Sequence, residues 1–181
     1  MKYSEEIILK NREKIIIRNA AASDGGAVLE IFNLTHTETD YLLSYVDESQ
    51  HNPENEAEFL KKKEESQNEI ELIAIANGRV VGLSGISAVG AKYKVRHRAE
   101  FGISVIKEYW GLGIGRALMD ACIKCAKEAG YIQLELSVVA DNQRAISMYK
   151  STGFVEYGRN PKGFNSRESG FQELVFMRLE L

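Results

Sequence analysis

Apolar and polar positions along this chain switch between a period of two and a period near 3.6, and the switches outline a mixed α/β succession. Lys14-Ile15-Ile16-Ile17-Arg18 is short and β-branched, which predicts a first strand. Ser23 is an N-cap candidate, and Val28, Leu29, Ile31, Phe32 and Leu34 then give a helix its apolar face. Thr35 to Asn52 is polar and aromatic, interrupted by Tyr41, Leu42, Leu43, Tyr45 and Val46. Asn52-Pro53 opens a second helix, because proline is tolerated in a first turn. Its Glu54, Glu56, Glu58 and the run Lys61 to Glu65 read as a solvated face. Ile70 to Ala76 and Arg79 to Leu83 are strands joined by Asn77-Gly78, the strongest short hairpin signal. Glu100 to Ile106 predicts another strand, followed by a helix that stops at Gly130. Ile132 to Val139 is a strand and Asn142 to Lys150 a helix. Two terminal strands, about Phe154 to Tyr157 and Glu173 to Leu179, flank a loop rich in Gly, Asn, Ser and Arg. With no repeat, low-complexity tract or linker, residues 1–181 read as one α/β domain, a sheet covered by helices.

Composition narrows the function class. At 181 residues the chain is long enough to bury a substantial core, and 44 % hydrophobic with 27 % charged residues is ordinary for a globular protein. A net charge of -3 argues against broad nucleic-acid affinity, which normally rides on a basic face. Lys92, Lys94, Arg96 and Arg98 would share one side if extended, as a solvated edge or as a contact for an anionic partner. No apolar run reaches the length of a membrane span, and Met1-Lys2-Tyr3-Ser4-Glu5-Glu6 lacks the order of a signal peptide. A cytoplasmic location is the default expectation. Cys122 and Cys125 have CxxC spacing, yet both fall on the apolar face shared with Ile114, Leu118, Ala121 and Ala129. Core packing is the expectation for both thiols; a zinc site would need two further ligands, and the three histidines are scattered.

The chemistry-bearing stretch is Gly111-Leu112-Gly113-Ile114-Gly115-Arg116-Ala117-Leu118, in the order strand, loop, helix. Its glycines leave backbone N–H groups uncovered, and a helix N-terminus adds orphan amides and a favourable dipole, so an anion such as a pyrophosphate is the natural ligand. A P-loop would need Lys then Ser or Thr where Arg116 and Ala117 stand. A dinucleotide fingerprint needs glycines at relative positions one, three and six, and neither Gly111 nor Gly113 starts such a series.

Glu108 to Leu118 resembles the acyl-CoA signature of the GNAT superfamily of N-acetyltransferases. A second block, Leu136 to Phe154, matches the other half of that cofactor site in order: strand, Asn142, helix, Tyr149 and Gly153-Phe154. The two blocks cover about residues 100–157. The resemblance implies a mixed, mostly antiparallel sheet flanked by helices, acetyl-CoA as co-substrate and no metal. It implies that Ile103, Ser104 and Val105 face the pantetheine arm through their backbone. Gly111, Leu112, Gly113, Ile114, Gly115 and Arg116 would wrap the pyrophosphate. Trp110 stands where the family often has Gln or Arg, which leaves that grip to backbone amides. Asn142 and Tyr149 are seven apart, roughly 10 Å along one helix face. By resemblance Tyr149 is the acid for the leaving sulfur, against a reading as a core aromatic beside Phe154; Asn142 caps its helix, contacts cofactor, or both. Glu100 is the base candidate where some relatives carry one, against a plain exposed strand carboxylate. His36, Glu38 and His97 are weaker options.

The resemblance points to acetyl transfer to a primary amine of a small molecule (an amino acid, a polyamine or an amine antibiotic) by direct attack in a ternary complex. Competing readings are a non-catalytic acyl-CoA sensor and an acetyltransferase of protein N-termini or lysines. No nucleic-acid or membrane partner is expected, and a homodimer with an exchanged C-terminal strand stays open. The acceptor site is expected from Thr35 to Asn52 and from the Gly158-to-Phe171 loop, with Tyr41, Tyr45, Tyr157 and Phe164 as lining candidates. The acidic residues Glu38, Asp40, Asp47 and Glu48 would tolerate a cationic amine.

Overall fold

A computed structural model describes residues 1–48 and 52–181. The expected acceptor segment Thr35 to Asn52 therefore falls partly on residues 49–51, outside the described residues. Eight strands form one sheet: β1 (Ser4–Ile8), β2 (Lys14–Asn19), β3 (Ile70–Ala76), β4 (Arg79–Ala88), β5 (Arg98–Val105), β6 (Gln133–Val139), β7 (Val155–Ser166) and β8 (Gly170–Glu180). Their order is β1-β2-β3-β4-β5-β6-β8-β7, and every neighbouring pair is antiparallel except β5 with β6. Four helices flank the sheet: α1 (Gly25–Glu38), α2 (Pro53–Glu65), α3 (Ile114–Glu128) and α4 (Gln143–Ser151). No helix of the described residues is long and apolar enough to cross a membrane.

Alternation along β4 shows which helices cover which face. Leu118 of α3 occupies the space that a Cβ on Gly82 would enter, and Ser84 Oγ lies 3.0 Å from Cys122 Sγ of the same helix. Ser87, on the opposite face, accepts a hydrogen bond from Lys63 of α2. The central strands are buried on both faces, which is why β3 and β4 read as near-continuous apolar runs. Both cysteines are buried in α3, and burial pushes the Cys125 thiol up to about 11. A thiol held protonated is a poor nucleophile and a poor metal ligand.

Several local expectations hold at the residue level. Asn52 caps α2 by accepting from Asn55 N–H at 2.8 Å, with Pro53 in the first turn. Asn77 and Gly78 both take positive φ (49° and 77°), as a tight two-residue hairpin requires. Others fail for identifiable reasons. Ser23 does not cap α1; it lies in a short 3₁₀ turn, and Asp24 instead accepts from Ala21 N–H while pairing with Arg18 at 2.7 and 2.8 Å. β1 is absent from the sequence reading because it is an edge strand exposed on nearly every residue, so no alternation marks it. The segment Lys92–His97 is turn rather than strand, with Val95 and Arg96 N–H both on Lys92 O, so the four cations do not share a side. Most of the expected Gly158-to-Phe171 loop is strand. β7 pairs with β8 through two register shifts, one spanning Pro161, and only 167–169 are left as a turn. A solvated edge strand can be polar and glycine-rich, and a bulge accommodates the proline.

Candidate active site

The site begins where two strands part. β5 pairs with β6 over only Arg98–Glu100 against Gln133–Glu135, and beyond that β6 stays with β8. The base of the wedge is tied by a two-pronged ion pair, Arg98 Nε and Nη2 with the Glu135 carboxylate. Ile106 N–H donates to Val81 O and Val89 N–H to Arg98 O, both at 3.1 Å. Those two bonds set the alternation of the antiparallel pair: even-numbered residues of β5 exchange bonds with β4, and odd-numbered ones direct N–H and C=O into the wedge. Ile103 and Val105 therefore present main-chain groups there, while Ser104 spends its own on β4. Trp110 Nε1 donates to Val105 O at 2.6 Å, which fills one of those acceptors and anchors the turn after β5. Arg144 stacks its guanidinium 4.9 Å from the Trp110 ring, linking that turn to the start of α4.

The glycine loop follows directly. Gly111 (φ 82°) and Gly113 (φ 103°) hold left-handed backbone, and a Cβ on either would meet nothing within 4 Å, so the concave side is open. The first helical bond of α3 runs from Ala117 N–H to Gly113 O, which leaves the N–H groups of Ile114, Gly115 and Arg116 ahead of it. Gly113 supplies no side-chain cap. Ile114 is a core residue and contributes only its amide; Leu112 is half-buried against the same core. The Arg116 side chain is held by Asp120 and Ser151, so its part here too is the amide. Gly115 lets α3 approach α4, since a Cβ there would lie 3.3 Å from Met148 Sδ. These uncovered amides, with the exposed strand groups upstream, fit a diphosphate carrying an extended amide-containing arm. Gly113→Val places a β-branched residue at φ 103° and is expected to weaken acetyl-CoA binding by about tenfold or more, since such strain costs roughly 1–3 kcal/mol. Calorimetric titration checks it; an unchanged dissociation constant contradicts the assignment.

On the far side of the wedge, Asn142 caps α4 by accepting from Ala145 N–H at 3.2 Å, while its Nδ2 donates to no described residue. Tyr149 is buried, its ring edge-on to Phe101 (6.2 Å) and tilted against Phe154 (5.8 Å). Its hydroxyl bonds to no described side chain, and burial alone holds its pKa above the ordinary tyrosine value. The phenol thus stays a proton donor at any physiological pH.

On the α1–α2 face of the sheet lies a cleft of about 370 Å³ whose wall includes Phe32 and His36 of α1, Leu42, and Glu71, Leu83 and Glu100 of the strands. A second cavity of about 510 Å³ adjoins it, sharing Phe32, Glu71 and Leu83 and reaching α2. Glu100 is exposed and faces the first cleft. His36 stacks on Phe32 (3.8 Å) and contacts Phe32 O at 2.7 Å through Nδ1. Glu38 is engaged elsewhere, accepting from Lys107 N–H at 2.7 Å, and His97 sits at the opposite end of β5. Glu71, which the sequence reading passed over, reaches into the cleft from β3. Burial pushes its carboxyl up to about 7; Glu56 adds to the rise and Lys63 opposes it. The available signal was a lone carboxylate inside Ile70-Glu71-Leu72-Ile73, an expensive place for a charge.

The two segments expected to choose the acceptor do meet. Asp40 accepts from Ser166 (2.6 Å), Ser169 (3.0 Å), Gln172 (3.1 Å) and Tyr45 (3.2 Å), bonds led by Ser166 that hold its carboxyl below the usual range. Arg167 adds a pair with Asp47 and stacks on Tyr45. The α1–α2 connection is thereby latched to the tip of the β7–β8 hairpin. Of the aromatic candidates, Tyr45 joins this latch, Phe164 is half-buried on β7, and Tyr41 and Tyr157 are exposed, Tyr157 lying against Phe176.

The acetyltransferase (GNAT) family pattern matches residues 28–154. The acetyltransferase of GNAT family from Streptococcus pneumoniae is 30% identical and superposes with a TM-score of 0.88 over 92% of this chain and 99% of its own. A putative acetyltransferase, yncA, from Salmonella typhimurium, solved with its cofactor acetyl-CoA, is 23% identical with a TM-score of 0.81 over 92% of this chain and 94% of its own, a likeness of fold. Among curated relatives, an N-alpha-acetyltransferase of Sulfurisphaera tokodaii is 30% identical over 81% of this chain and 84% of its own. The L-amino acid N-acyltransferase MnaT of Escherichia coli is 26% identical over 61% of this chain, and the match spans 63% of that relative's length.

Proposed function

Because the chain belongs to the acetyltransferase (GNAT) family, we propose that residues 1–181 act as one catalytic domain that moves an acetyl group from acetyl-CoA to a primary amine of a small molecule, with amino acids first among the candidates. The observation that carries this reading is the wedge between β5 and β6, with a strand edge free at Ile103 and at the Val105 N–H and the amide cradle of Gly111 to Arg116 at its mouth. Bound acetyl-CoA supplies an acyl thioester. Uncovered N–H groups and the α3 dipole favour its phosphates, and the main chain of Ile103 and Val105 pairs with the arm as an added strand would. Asn142 Nδ2 is available to an amide carbonyl of the arm. Tyr149 donates to the sulfur as it leaves.

An acidic cleft on the opposite face suits a cationic acceptor. Two carboxylates line that cleft: Glu100 at its edge on β5, where the family resemblance has a base candidate, and Glu71 on β3. One relative is an L-amino acid N-acyltransferase and another an N-alpha-acetyltransferase, and an α-amino acceptor suits both names. At a peptide N-terminus such a group has a pKa of about 7.7 to 8.0 and is partly neutral near pH 7, whereas the carboxylate of a free amino acid keeps its ammonium protonated, so that acceptor needs a base. Action in the cytoplasm belongs to the same reading. Incubation of the purified chain with acetyl-CoA and a panel of amino acids, polyamines, amine antibiotics and short peptides, with free thiol measured, tests it. Transfer to amino acids above peptides supports it. Acetyl-CoA binding without transfer to any amine would leave the sensor reading in its place.

A further inference from the structure

We infer that Glu71 accepts the proton of the attacking amine, across a stretch of sheet surface that Gly85 and Gly102 leave bare. The inference rests on the acetyl-transfer reading above and names the group on the acceptor side of that site. Glu71 is directly opposite Gly85 in the β3–β4 ladder, and Gly85 is directly opposite Gly102 in the β4–β5 ladder. A Cβ on Gly85 would lie 2.2 Å from Glu71 Oε2, so the carboxylate folds over the neighbouring strand toward β5. A Cβ on Gly102 would meet nothing within 4 Å. From the carboxylate to the main chain beside Ile103 no side chain intervenes along this row, and the remaining gap is about one strand spacing, 4.7–4.9 Å. That distance suits a proton relay through one water.

The carboxylate is also left without a donor. Lys63, the cation that opposes the rise at Glu71, directs Nζ at Glu69 Oε2 (3.0 Å), Ile86 O (3.2 Å) and Ser87 Oγ (2.5 Å), which uses all three of its N–H groups. No hydrogen bond joins the Glu71 side chain to a described residue. Among the described residues the groups facing it are Lys63 and Glu56 from α2, His36 across the cleft from α1 and Glu100 from β5, while Cys122 of α3 acts on it only from the other side of the sheet. A base poised near neutrality is well matched to taking a proton at pH 7 and giving it up to solvent afterwards. Glu100 is exposed at the cleft edge, whereas Glu71 is partly buried at its floor. In the step, the amine nitrogen bonds to the thioester carbonyl carbon and the carbon–sulfur bond breaks with its electron pair on sulfur. Tyr149 hydrogen-bonds or protonates that sulfur, and the proton lost from nitrogen passes to Glu71.

The test measures kcat against pH from 5.5 to 9.5 on the full chain, using the amine that the panel identifies, with acetyl-CoA affinity measured separately by calorimetry. Wild type is expected to rise through an apparent pKa near 7 and level off. Glu71→Gln is expected to lower the plateau about 10²-fold and remove that inflection, with acetyl-CoA affinity unchanged. Glu100→Gln is expected to keep it. Gly85→Ala retains the carboxylate but drives it from its seat, and is expected to cost about tenfold or more in kcat. An inflection that survives in Glu71→Gln, or disappears in Glu100→Gln, overturns the assignment while transfer itself stands. Wild-type protein that acetylates no amine overturns the transferase reading and this inference together.

Discussion

Tyr149→Phe is expected to lower kcat by about 10² to 10³ while acetyl-CoA affinity changes little. The hydroxyl is the only polar atom that the side chain brings to a seat made by Phe101 and Phe154. Charge developing on sulfur in such apolar surroundings is poorly screened, so one well-placed donor is worth roughly 2.7–4 kcal/mol. The ring stays and the aromatic packing is preserved, hence folding and cofactor binding should survive. Because burial raises the phenol's pKa, the loss is expected to be similar from pH 6 to 9, with no inflection from Tyr149 itself. Single-turnover transfer alongside calorimetry separates the two effects. Unchanged turnover assigns Tyr149 to core packing alone.

Lys63→Met is expected to destabilise the fold by about 3 kcal/mol at neutral pH, a fall in Tm of about 10 °C. The Lys63 side chain is 7% exposed and its ammonium ties α2 to β4 and to Glu69. Methionine fills the volume but leaves Glu69, Ile86 O and Ser87 short of a donor. The effect sits at the lower end of the range for broken buried pairs because Glu69 is 30% exposed and keeps Ala88 N–H at 2.8 Å. Burial works to raise the Glu69 carboxyl, and the Ala88 and Lys63 bonds outweigh it, so its folded value lies below the ordinary 4.5. The pair's contribution is therefore complete above about pH 4.5 and is lost as pH falls through the folded value. The wild-type advantage should narrow in acid. Thermal melts at pH 7 and pH 4 check both statements, and a loss below about 1 kcal/mol at pH 7 contradicts the network. Lys63→Met also removes a cation that opposes the rise at Glu71, which couples this structural lysine to that carboxylate.

The backbone features of the expected donor side were legible in the chain because their signals are local. A helix start, a pair of left-handed glycines and an N-cap are decided within a few residues, so Gly111 to Arg116 and Asn142 fall where the sequence puts them. The Asn77-Gly78 hairpin and the Asn52-Pro53 cap are local in the same sense. The polar, glycine-rich stretch after Gly158 misled because an edge strand takes its order from its partner's backbone and shows no face of its own. His36 and Glu38 lie on one helix yet do different things: one stacks in the cleft wall, the other holds the turn at Lys107. Nothing in their spacing separates those fates.

The sequence by itself marked the four helices, the central strands, the glycine turn ahead of α3 and the family to which the chain belongs, since each depends on neighbours a few positions away. The tertiary structure alone decided that β6 leaves β5 after three paired residues, so that the main-chain groups of Ile103 and the N–H of Val105 stand open. It also decided that Glu71, thirty or more positions before Phe101 to Ile103, lies across Gly85 from Gly102 at the centre of that segment. Burial by α1 and α2, and a lysine with every donor already taken, set that carboxylate's proton affinity. Desolvation is a property of everything packed around a group, and a linear chain does not display it.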